Sequence, residues 1–353
     1  MQHKRSSAKV FGLKARKPYP SKLTVDINTH CNARCVICPY PQIRNNLSHG
    51  LMEWGLYKKV IDDYAGICYR NSIMGELSLC NMSEPTLVDG LNKFIAYGRA
   101  KGCFTIYFNT NGSRLMPKLV DAFKSSKTYP AIHVNMMVFS KDKYVKFLGL
   151  DYERLMENLK YLLNNYPHGL IDVGFFLNLM DVREVEDAKK FFKATKVTVN
   201  FSGNITDRAG SVILPEGLSG FKSEVRKNMF GCLKNRPIHR MHVNYDGRVY
   251  LCDQDMRLET DFGNLSNDTI EAVWNGKRFM ALLMMAYGCA PYDGSAMPCL
   301  KCSSCIDDSS FGIIDTRDAY RPRKLFNPVK RWLVRLGIAA VKKRGKILFL
   351  ILA

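Results

Sequence analysis

The sequence of 353 residues lacks any long uninterrupted hydrophobic run and lacks an apolar segment at its beginning. A membrane-spanning helix needs roughly 20 consecutive apolar residues, so we expect no helix of that kind. The basic N-terminus has no apolar stretch before Leu23, so we expect no signal peptide. Hydrophobic residues make up 46% of the chain and charged residues 24%, which is ordinary for a globular protein and argues against a disordered or fibrous one.

Acidic residues are missing from both ends of the chain. The formal net charge is +20, but residues 1–22 and 321–353 together carry seventeen Lys and Arg and no Asp or Glu. The body between them is therefore nearly neutral, at +3. A basic patch on the body would indicate nucleic-acid binding, and this distribution predicts no specific nucleic-acid partner.

The C-terminal tail, 321–353, is basic and amphipathic. Ile347–Leu352 is a short apolar run, and five earlier residues can share one helical face with Lys and Arg opposite: Trp332, Leu333, Leu336, Ala339 and Ala340. Such a segment suits an anionic membrane surface, so we expect peripheral membrane or partner contact. The alternative is a terminal helix docked on the body.

Twelve cysteines would suit an extracellular disulfide framework, but such chains are usually short and secreted. Here the cysteines form two groups along the chain, one within 31–38 and one within 232–305. This grouping indicates metal ligation in a reducing compartment. We therefore expect a cytoplasmic protein, with the tail as its contact to a membrane surface.

Strand-like and helix-like segments alternate six times in the first 210 residues, which predicts an α/β fold with a parallel sheet and helices outside. Periodicity alone leaves an open barrel and a doubly wound sheet as alternatives. After residue 210 the pattern changes. Residues 242–252 form two alternating runs around Asp246-Gly247, a hairpin signal, and a smaller second domain is predicted at 216–320.

Cys31, Cys35 and Cys38 directly follow the first predicted strand, 23–28. Three thiolates at this spacing can hold one corner region of a four-iron cube and leave the fourth iron without a protein ligand. The alternatives are a partial zinc site or three buried thiols. No histidine follows at the spacing of a zinc finger.

This CxxxCxxC motif after the first strand resembles that of the radical S-adenosylmethionine (SAM) superfamily, and the resemblance extends over most of 23–305. It implies a partial (β/α)6 barrel over 23–215 and a [4Fe–4S] cluster whose open iron binds SAM. It also implies cleavage of SAM to a 5′-deoxyadenosyl radical, which takes a hydrogen atom from a substrate. Ile37 replaces the family's usual aromatic residue, and Tyr40 stands nearby to pack beside the adenine.

The resemblance assigns further SAM contacts to two turns. Ser83 and Glu84, in Ser83-Glu84-Pro85, resemble the motif that receives the SAM ammonium, through a charge-assisted hydrogen bond. Asn109 and Asn111 belong to a turn that lies near the nucleoside in relatives. For both segments the alternative is an ordinary turn.

Two more residues complete the expected SAM site. Asn135 stands where many relatives carry a serine near the SAM carboxylate, and Met137 stands in place of the usual acid. Arg208, in an Arg-Ala-Gly turn, faces SAM, an anionic substrate or solvent.

The second cysteine group begins with Cys232 and Cys252, which flank the predicted hairpin, and ends with a tight run of three: Cys299, Cys302 and Cys305. It resembles the SPASM/twitch extension, which implies an auxiliary [4Fe–4S] cluster. Two thiolate-ligated cubes would need eight cysteines, and six lie here, so we expect one cluster held by Cys232, Cys252 and two of the last three. The alternative is a structural zinc ribbon. Cys289 is a further ligand or a thiol close to the substrate.

Together these features predict a radical SAM oxidoreductase that dehydrogenates a sugar- or cyclitol-like substrate. If Cys289 returns a hydrogen atom, the outcome is epimerisation instead. The alternatives are a maturase acting on a peptide substrate, and a non-enzymatic iron–sulfur or zinc binding protein. The expected partners are SAM, a small-molecule or peptide substrate, and a flavodoxin- or ferredoxin-like electron donor.

Overall fold

The computed structural model describes residue 13, residues 15–203, 205–216, 218, 225 and 229–306, and the segments 338–343 and 346–351. The chain divides into two compact units, Met1–Asp308 and Ser309–Ala353. The first unit contains an eight-stranded sheet. The second contains, in its described part, a two-stranded antiparallel hairpin.

Strands and helices alternate through the first two hundred residues. The strands are β1 (Lys22–Val25), β2 (Gly75–Ser78), β3 (Phe104–Thr110), β4 (Ala131–Met137), β5 (Ile171–Phe176) and β6 (Thr198–Ser202). The helices are α1 (Tyr40–Ile43), α2 (Trp54–Arg70), α3 (Leu91–Ala100), α4 (Pro117–Ser125), α5 (Lys141–Leu148), α6 (Tyr152–Asn165) and α7 (Val182–Phe192). Short 3-10 turns lie at Arg44–Asn46, Pro85–Leu87, His168–Leu170 and Leu177–Leu179.

The remainder of the first unit is built from shorter elements. They are β7 (Gly231–Cys232), α8 (Arg236–His239), β8 (Arg240–Val243), β9 (Val249–Tyr250), α9 (Ile270–Trp274), α10 (Lys277–Ala286), a 3-10 turn at Pro298–Lys301 and β10 (Cys305–Ile306). β7 and β10 pair antiparallel in a small sheet of their own, with Cys232 opposite Cys305.

The order of strands in the large sheet is β6-β5-β4-β3-β2-β1-β8-β9. Each of the first six strands lies beside its neighbour in sequence and runs parallel to it. A doubly wound sheet would reverse its order at a switch point, so the sequential order decides for the open barrel. The predicted α/β fold with a partial (β/α)6 barrel is confirmed.

Period-two alternation determines which face of the sheet meets the helices. On β3, Phe104, Ile106 and Phe108 are buried in the hydrophobic core, whereas Thr105 and Tyr107 between them point to the other, concave face. The other strands repeat this arrangement, with apolar residues outward against the helices. The concave face therefore carries mostly polar side chains.

The hairpin β8–β9 continues the large sheet. β8 runs parallel to β1, with Thr24 opposite His242, and β9 runs antiparallel to β8. The predicted hairpin around Asp246-Gly247 is thus present, and it extends the barrel sheet. The boundary expected at residue 216 stays a prediction about domains.

Two local differences from the sequence prediction concern helices. α5 was not predicted, because its eight residues carry three lysines and only four apolar side chains, too few for a clear period. The helical stretch expected from Asp268 to Tyr287 is divided into α9 and α10 at Asn275 and Gly276, where glycine lowers helix propensity.

The prediction of a helical face in the C-terminal tail is wrong for the described part of the tail, which forms strands. Ala339 and Ala340 lie in β11 (Ile338–Lys343), which pairs antiparallel with β12 (Lys346–Ile351). Two residues, one of them a glycine, separate these strands, and that spacing is typical of a tight hairpin. Trp332, Leu333 and Leu336 lie outside the described residues.

Candidate functional site

The first cysteine group occupies the loop after β1, at the carboxyl edge of the barrel. Cys31, Cys35 and Cys38 are all half-buried. The Cys31 amide donates to the Tyr40 hydroxyl at 3.2 Å, so the predicted cofactor residue Tyr40 braces the loop. The Cys38 amide donates to the Cys35 carbonyl at 3.0 Å and closes a turn between these two cysteines.

The same loop is fastened to the end of α5. The Arg34 amide donates to the Leu148 carbonyl at 2.7 Å, and the Val36 amide donates to the Phe147 carbonyl at 2.9 Å. These bonds hold the segment between the first and third cysteines in one conformation. The helix that the sequence did not predict is therefore a support of the cysteine loop.

The surroundings of these thiols suit a bound cluster. Burial raises the pKa of Cys31 to about 12, and burial together with the neighbouring thiolates raises the pKa of Cys35 well above its usual value. Thiolates that repel one another in a buried loop need a positive group between them, and iron supplies it. Among the described residues, no three His, Cys, Asp or Glu side chains converge to hold a single ion, whereas a cube spreads its irons over several positions.

Glu84 is buried and accepts hydrogen bonds from four donors. One oxygen receives the amide and hydroxyl of Thr86, at 3.0 and 2.6 Å, and the hydroxyl of Thr110 at 2.7 Å. The other receives the Asn111 amide at 2.7 Å. These bonds join the turns after β2 and β3 and occupy about four acceptor positions of the carboxylate. Contact of Glu84 with the SAM ammonium stays a prediction.

Two neighbours of the SAM motif behave differently from Glu84. The Ser83 hydroxyl is buried and has no hydrogen-bond partner within the described residues, which leaves it available to a ligand. Asn109 is exposed, and its carbonyl accepts from the Cys80 thiol at 3.4 Å. The predicted nucleoside contact of Asn109 is untested.

Asn111 ties the turn after β3 to the cysteine loop. Its side-chain amide donates to Asn32 Oδ1 at 2.9 Å, and Asn32 donates to the Ser113 hydroxyl at the same distance. Asn32 and Ser113 were missed by the sequence reasoning. The available signal was the amide residue directly after Cys31 in the motif.

Asn135 lies on the concave face, next to a bulge in β4. The register with β5 shifts between Asn135 and Met137, and Met137 has a φ of 62°, a conformation rare for a non-glycine residue. Gly174 on β5 makes room for this arrangement, because a Cβ there would lie 2.8 Å from Nε2 of His133. The bulge and the glycine together place His133 and Asn135 over the concave face.

The sequence reasoning also missed His242 and Thr24, adjacent partners on β8 and β1. His242 is fully buried beside the Tyr250 ring, with 5.2 Å between ring centroids. Its two ring nitrogens and the Thr24 hydroxyl have no hydrogen-bond partner within the described part of the chain. Burial lowers the pKa of His242 to about 3. Two buried polar groups side by side suit contact with a polar ligand.

Arg208 lies on a turn of left-handed residues, with φ of 51° at Arg208 itself. The segment after this turn is hydrogen-bonded to Gln42, which follows the first cysteine group. The Gln42 side-chain amide donates to the Ile213 carbonyl at 3.0 Å and accepts from the Ile213 amide at 2.9 Å. Burial raises the pKa of Cys38, and the Arg208 charge opposes that rise. Arg208 is thus close to the first cysteine group.

The second cysteine group lines one cavity that is partly open to solvent. Two of the sulfurs accept hydrogen bonds from backbone amides. The Gln254 amide donates to Cys252 and the Ser304 amide donates to Cys302, each at 3.4 Å. Such bonds stabilise thiolates that hold an iron–sulfur cluster. The cysteines that line the cavity are the five candidates from which the four predicted ligands were to come: Cys232, Cys252, Cys299, Cys302 and Cys305.

Cys289 lies elsewhere. It is exposed, follows α10, and is not among the residues that line the cavity. Its amide donates to the Met284 carbonyl at 2.7 Å. Neither a ligand role nor hydrogen donation by Cys289 is supported by this position, and both stay predictions.

Comparison with known families identifies both parts of the site. Residues 25–194 match the model of the radical SAM superfamily, and residues 232–306 match SPASM, the iron–sulfur cluster-binding domain. The chain belongs to the radical SAM superfamily and carries a SPASM domain. Members of this superfamily bind a [4Fe–4S] cluster and SAM, and the SPASM domain implies auxiliary iron–sulfur binding. The donor sets of the two cysteine groups fit these cofactors.

Solved structures confirm the fold of this radical SAM enzyme. BtrN in complex with AdoMet and 2-DOIA is 17% identical, with a TM-score of 0.50 over 76% of this chain and 88% of that one. The anSMEcpe structure with bound AdoMet is 15% identical, with a TM-score of 0.54 over 80% and 86%. SuiB from Streptococcus suis, bound to precursor peptide SuiA, is 12% identical, with a TM-score of 0.53 over 86% and 73%.

A search of curated proteins found no match. Among the described residues, none of the helices is long and apolar enough to cross a membrane.

The buried His242 predicts a pH-dependent loss of stability. Its folded-state pKa lies below the unfolded value of about 6.5, so acid favours the unfolded state as the pH falls from 6.5 towards 3. Between pH 7 and pH 5 we expect the wild type to lose about 2 kcal/mol more unfolding free energy than His242→Gln. Urea unfolding at the two pH values measures this difference. His168→Gln, at a half-buried surface turn, is the control, and equal losses in wild type and His242→Gln would contradict the account.

Proposed function

We propose that this radical SAM enzyme dehydrogenates a sugar- or cyclitol-like substrate bound on the concave face of the barrel. The observation that carries the proposal is the polar character of that face between the two cysteine groups. A polyhydroxylated substrate needs both donors and acceptors, and imidazole, hydroxyl and amide groups provide both. His242 and Thr24 are such groups on the adjacent strands β8 and β1, and His133 and Asn135 are such groups on β4 of the same sheet.

The chemistry divides between the two cysteine groups. A reduced cluster with SAM, held by Cys31, Cys35 and Cys38, supplies a 5′-deoxyadenosyl radical when bound. Transfer of one hydrogen atom from a substrate carbinol carbon to that radical gives 5′-deoxyadenosine. An auxiliary cluster held by cysteines of the second group would supply the acceptor for one further electron, and loss of that electron and of the hydroxyl proton completes oxidation to the ketone. We propose one auxiliary cluster, in the cavity of the second group.

The chain's own residues bind, orient and exclude water. Ser83, Asn111 and Asn135 are the proposed contacts to SAM, with Tyr40 bracing the loop beside the adenine. Arg208 is placed to face an anionic group of SAM or substrate. Exclusion of water protects a radical from side reactions, and the buried barrel face favours it.

The electron for the first cluster comes in this proposal from a flavodoxin- or ferredoxin-like donor. A peptide substrate is the alternative, supported by the similarity of the fold to SuiB with its bound peptide. Epimerisation requires a hydrogen donor, for which Cys289 is the proposed thiol.

A turnover assay with deuterated substrates tests the function. Anaerobically reconstituted protein is incubated with SAM, reductant and candidate sugars, cyclitols or peptides deuterated at the reacting carbon. We expect deuterium in 5′-deoxyadenosine and a ketone product with a hydroxylated substrate. Cys38→Ala removes a ligand of the first cluster and should abolish both, while Cys289→Ser should leave ketone formation unchanged. Deuterium transfer from peptides alone would overturn the sugar proposal.

The basic C-terminal tail is proposed to contact an anionic membrane surface, which makes the enzyme peripheral at the membrane. Its ten Lys and Arg supply the attraction to acidic lipids. Sedimentation with phosphatidylserine-containing and purely zwitterionic liposomes tests this. We expect the full chain to sediment with the acidic vesicles and a chain lacking 326–353 to remain in solution. Unchanged sedimentation of the shortened chain would reject the proposal.

A further inference from the structure

The cavity of the second cysteine group is lined by one cation. Of the described residues that line it, Arg236 alone carries a permanent positive charge. Arg236 is the first residue of α8, and its side chain is 19% exposed. A guanidinium at the wall of a mostly buried cavity acts on its contents through little water, so its charge is weakly screened.

Arg236 interacts with the cysteines in two ways. Its backbone amide hydrogen-bonds the Cys232 sulfur. Burial works to lower the pKa of its guanidinium, but the negative charges of Asp253 and of the nearby thiolates outweigh burial and raise that pKa. The thiolates that act on Arg236 are Cys252, Cys232 and Cys302.

Asp253 opposes the charge of Arg236. It follows Cys252 directly, and its Oδ1 lies 3.2 Å from Nε of Arg236. This ion pair therefore places a carboxylate beside the cavity that Cys252 and Arg236 line.

Charge at this position has a defined effect on an iron–sulfur cluster. The potential of a cluster depends on its net charge, on hydrogen bonds to its sulfurs and on exposure to solvent. Reduction adds one negative charge. A fixed cation nearby stabilises the reduced form more than the oxidised form, and a fixed anion does the opposite.

We propose that Arg236 raises, and Asp253 lowers, the reduction potential of the cluster held in this cavity. The two residues are positioning and tuning groups: they set how readily an electron from the barrel is accepted. That use as an electron acceptor rests on the proposed function, whereas the tuning itself does not.

A redox titration of the full chain tests the proposal without any substrate. Cys31, Cys35 and Cys38 are replaced by Ala so that only the auxiliary cluster remains, and reduction by dithionite is followed by electron paramagnetic resonance. In this background Arg236→Gln should lower the equilibrium constant for one-electron reduction at least tenfold, which corresponds to 59 mV. Asp253→Asn should shift the potential in the opposite direction.

Two further variants serve as controls. Arg236→Lys keeps the charge and should stay close to the parent. Arg248→Gln removes a cation from the turn between β8 and β9, where Arg248 pairs with Asp246 at 2.8 Å and does not line the cavity, so the potential should not change. Iron and sulfide per chain, measured for every variant, identify those that keep the cluster.

The outcomes separate tuning from a merely structural role. A loosened cavity would shift Arg236→Gln and Asp253→Asn in the same direction, and that result, or no shift in either, overturns the proposal. If Arg236→Gln fails to hold the cluster, the test rests on Asp253→Asn. A raised potential in that variant supports the proposal, and an unchanged or lowered potential contradicts it. Failure of the sugar substrate in turnover assays would leave these potentials unaffected, so the two proposals fail separately.

Discussion

The parallel pairing of Arg240–Val243 with Lys22–Val25 is the contact on which the rest of the site depends. It attaches the second cysteine group to the same sheet that carries the first. It also places His242 beside Thr24 on the concave face. The paired strand β8 directly follows α8, whose Arg236 lines the cavity of the second group.

Hydrogen bonds among the loops then fix the edge of the barrel. Glu84 holds the turns after β2 and β3 together, and Asn111 links the latter to Asn32 in the cysteine loop. A buried carboxylate with four donors is costly to disturb, because loss of any partner leaves a desolvated charge. The arrangement suits a site that must hold reactive chemistry in one geometry.

The sequence predicted most of the architecture because that architecture depends on local patterns. Alternating apolar residues indicated the six strands, and cysteine spacing indicated both candidate cofactor sites. The order of strands could not be predicted from the sequence, because the apolar periodicity of the strands is the same in an open barrel and in a doubly wound sheet. α5 and the hairpin in the tail were missed, because short lysine-rich segments give the same weak period in a helix and in a strand.

Long-range placement explains the other differences. His242 is an ordinary residue in an alternating strand, and only the pairing with β1 buries it beside Thr24. Similarly, nothing in the spacing of Cys299, Cys302 and Cys305 indicates that all three share a cavity with Cys232, Cys252 and Arg236. Cys289 precedes this run by only ten residues, yet it lies exposed outside the cavity.

The central claim is that the two cysteine groups hold two separate four-iron clusters. Iron and acid-labile sulfide per chain, measured after anaerobic reconstitution, test it most directly. The account predicts about eight irons and eight sulfides in the wild type, and about four of each when Cys31, Cys35 and Cys38 are replaced by Ala. Zinc without labile sulfide, or an iron content that the triple replacement leaves unchanged, would contradict it.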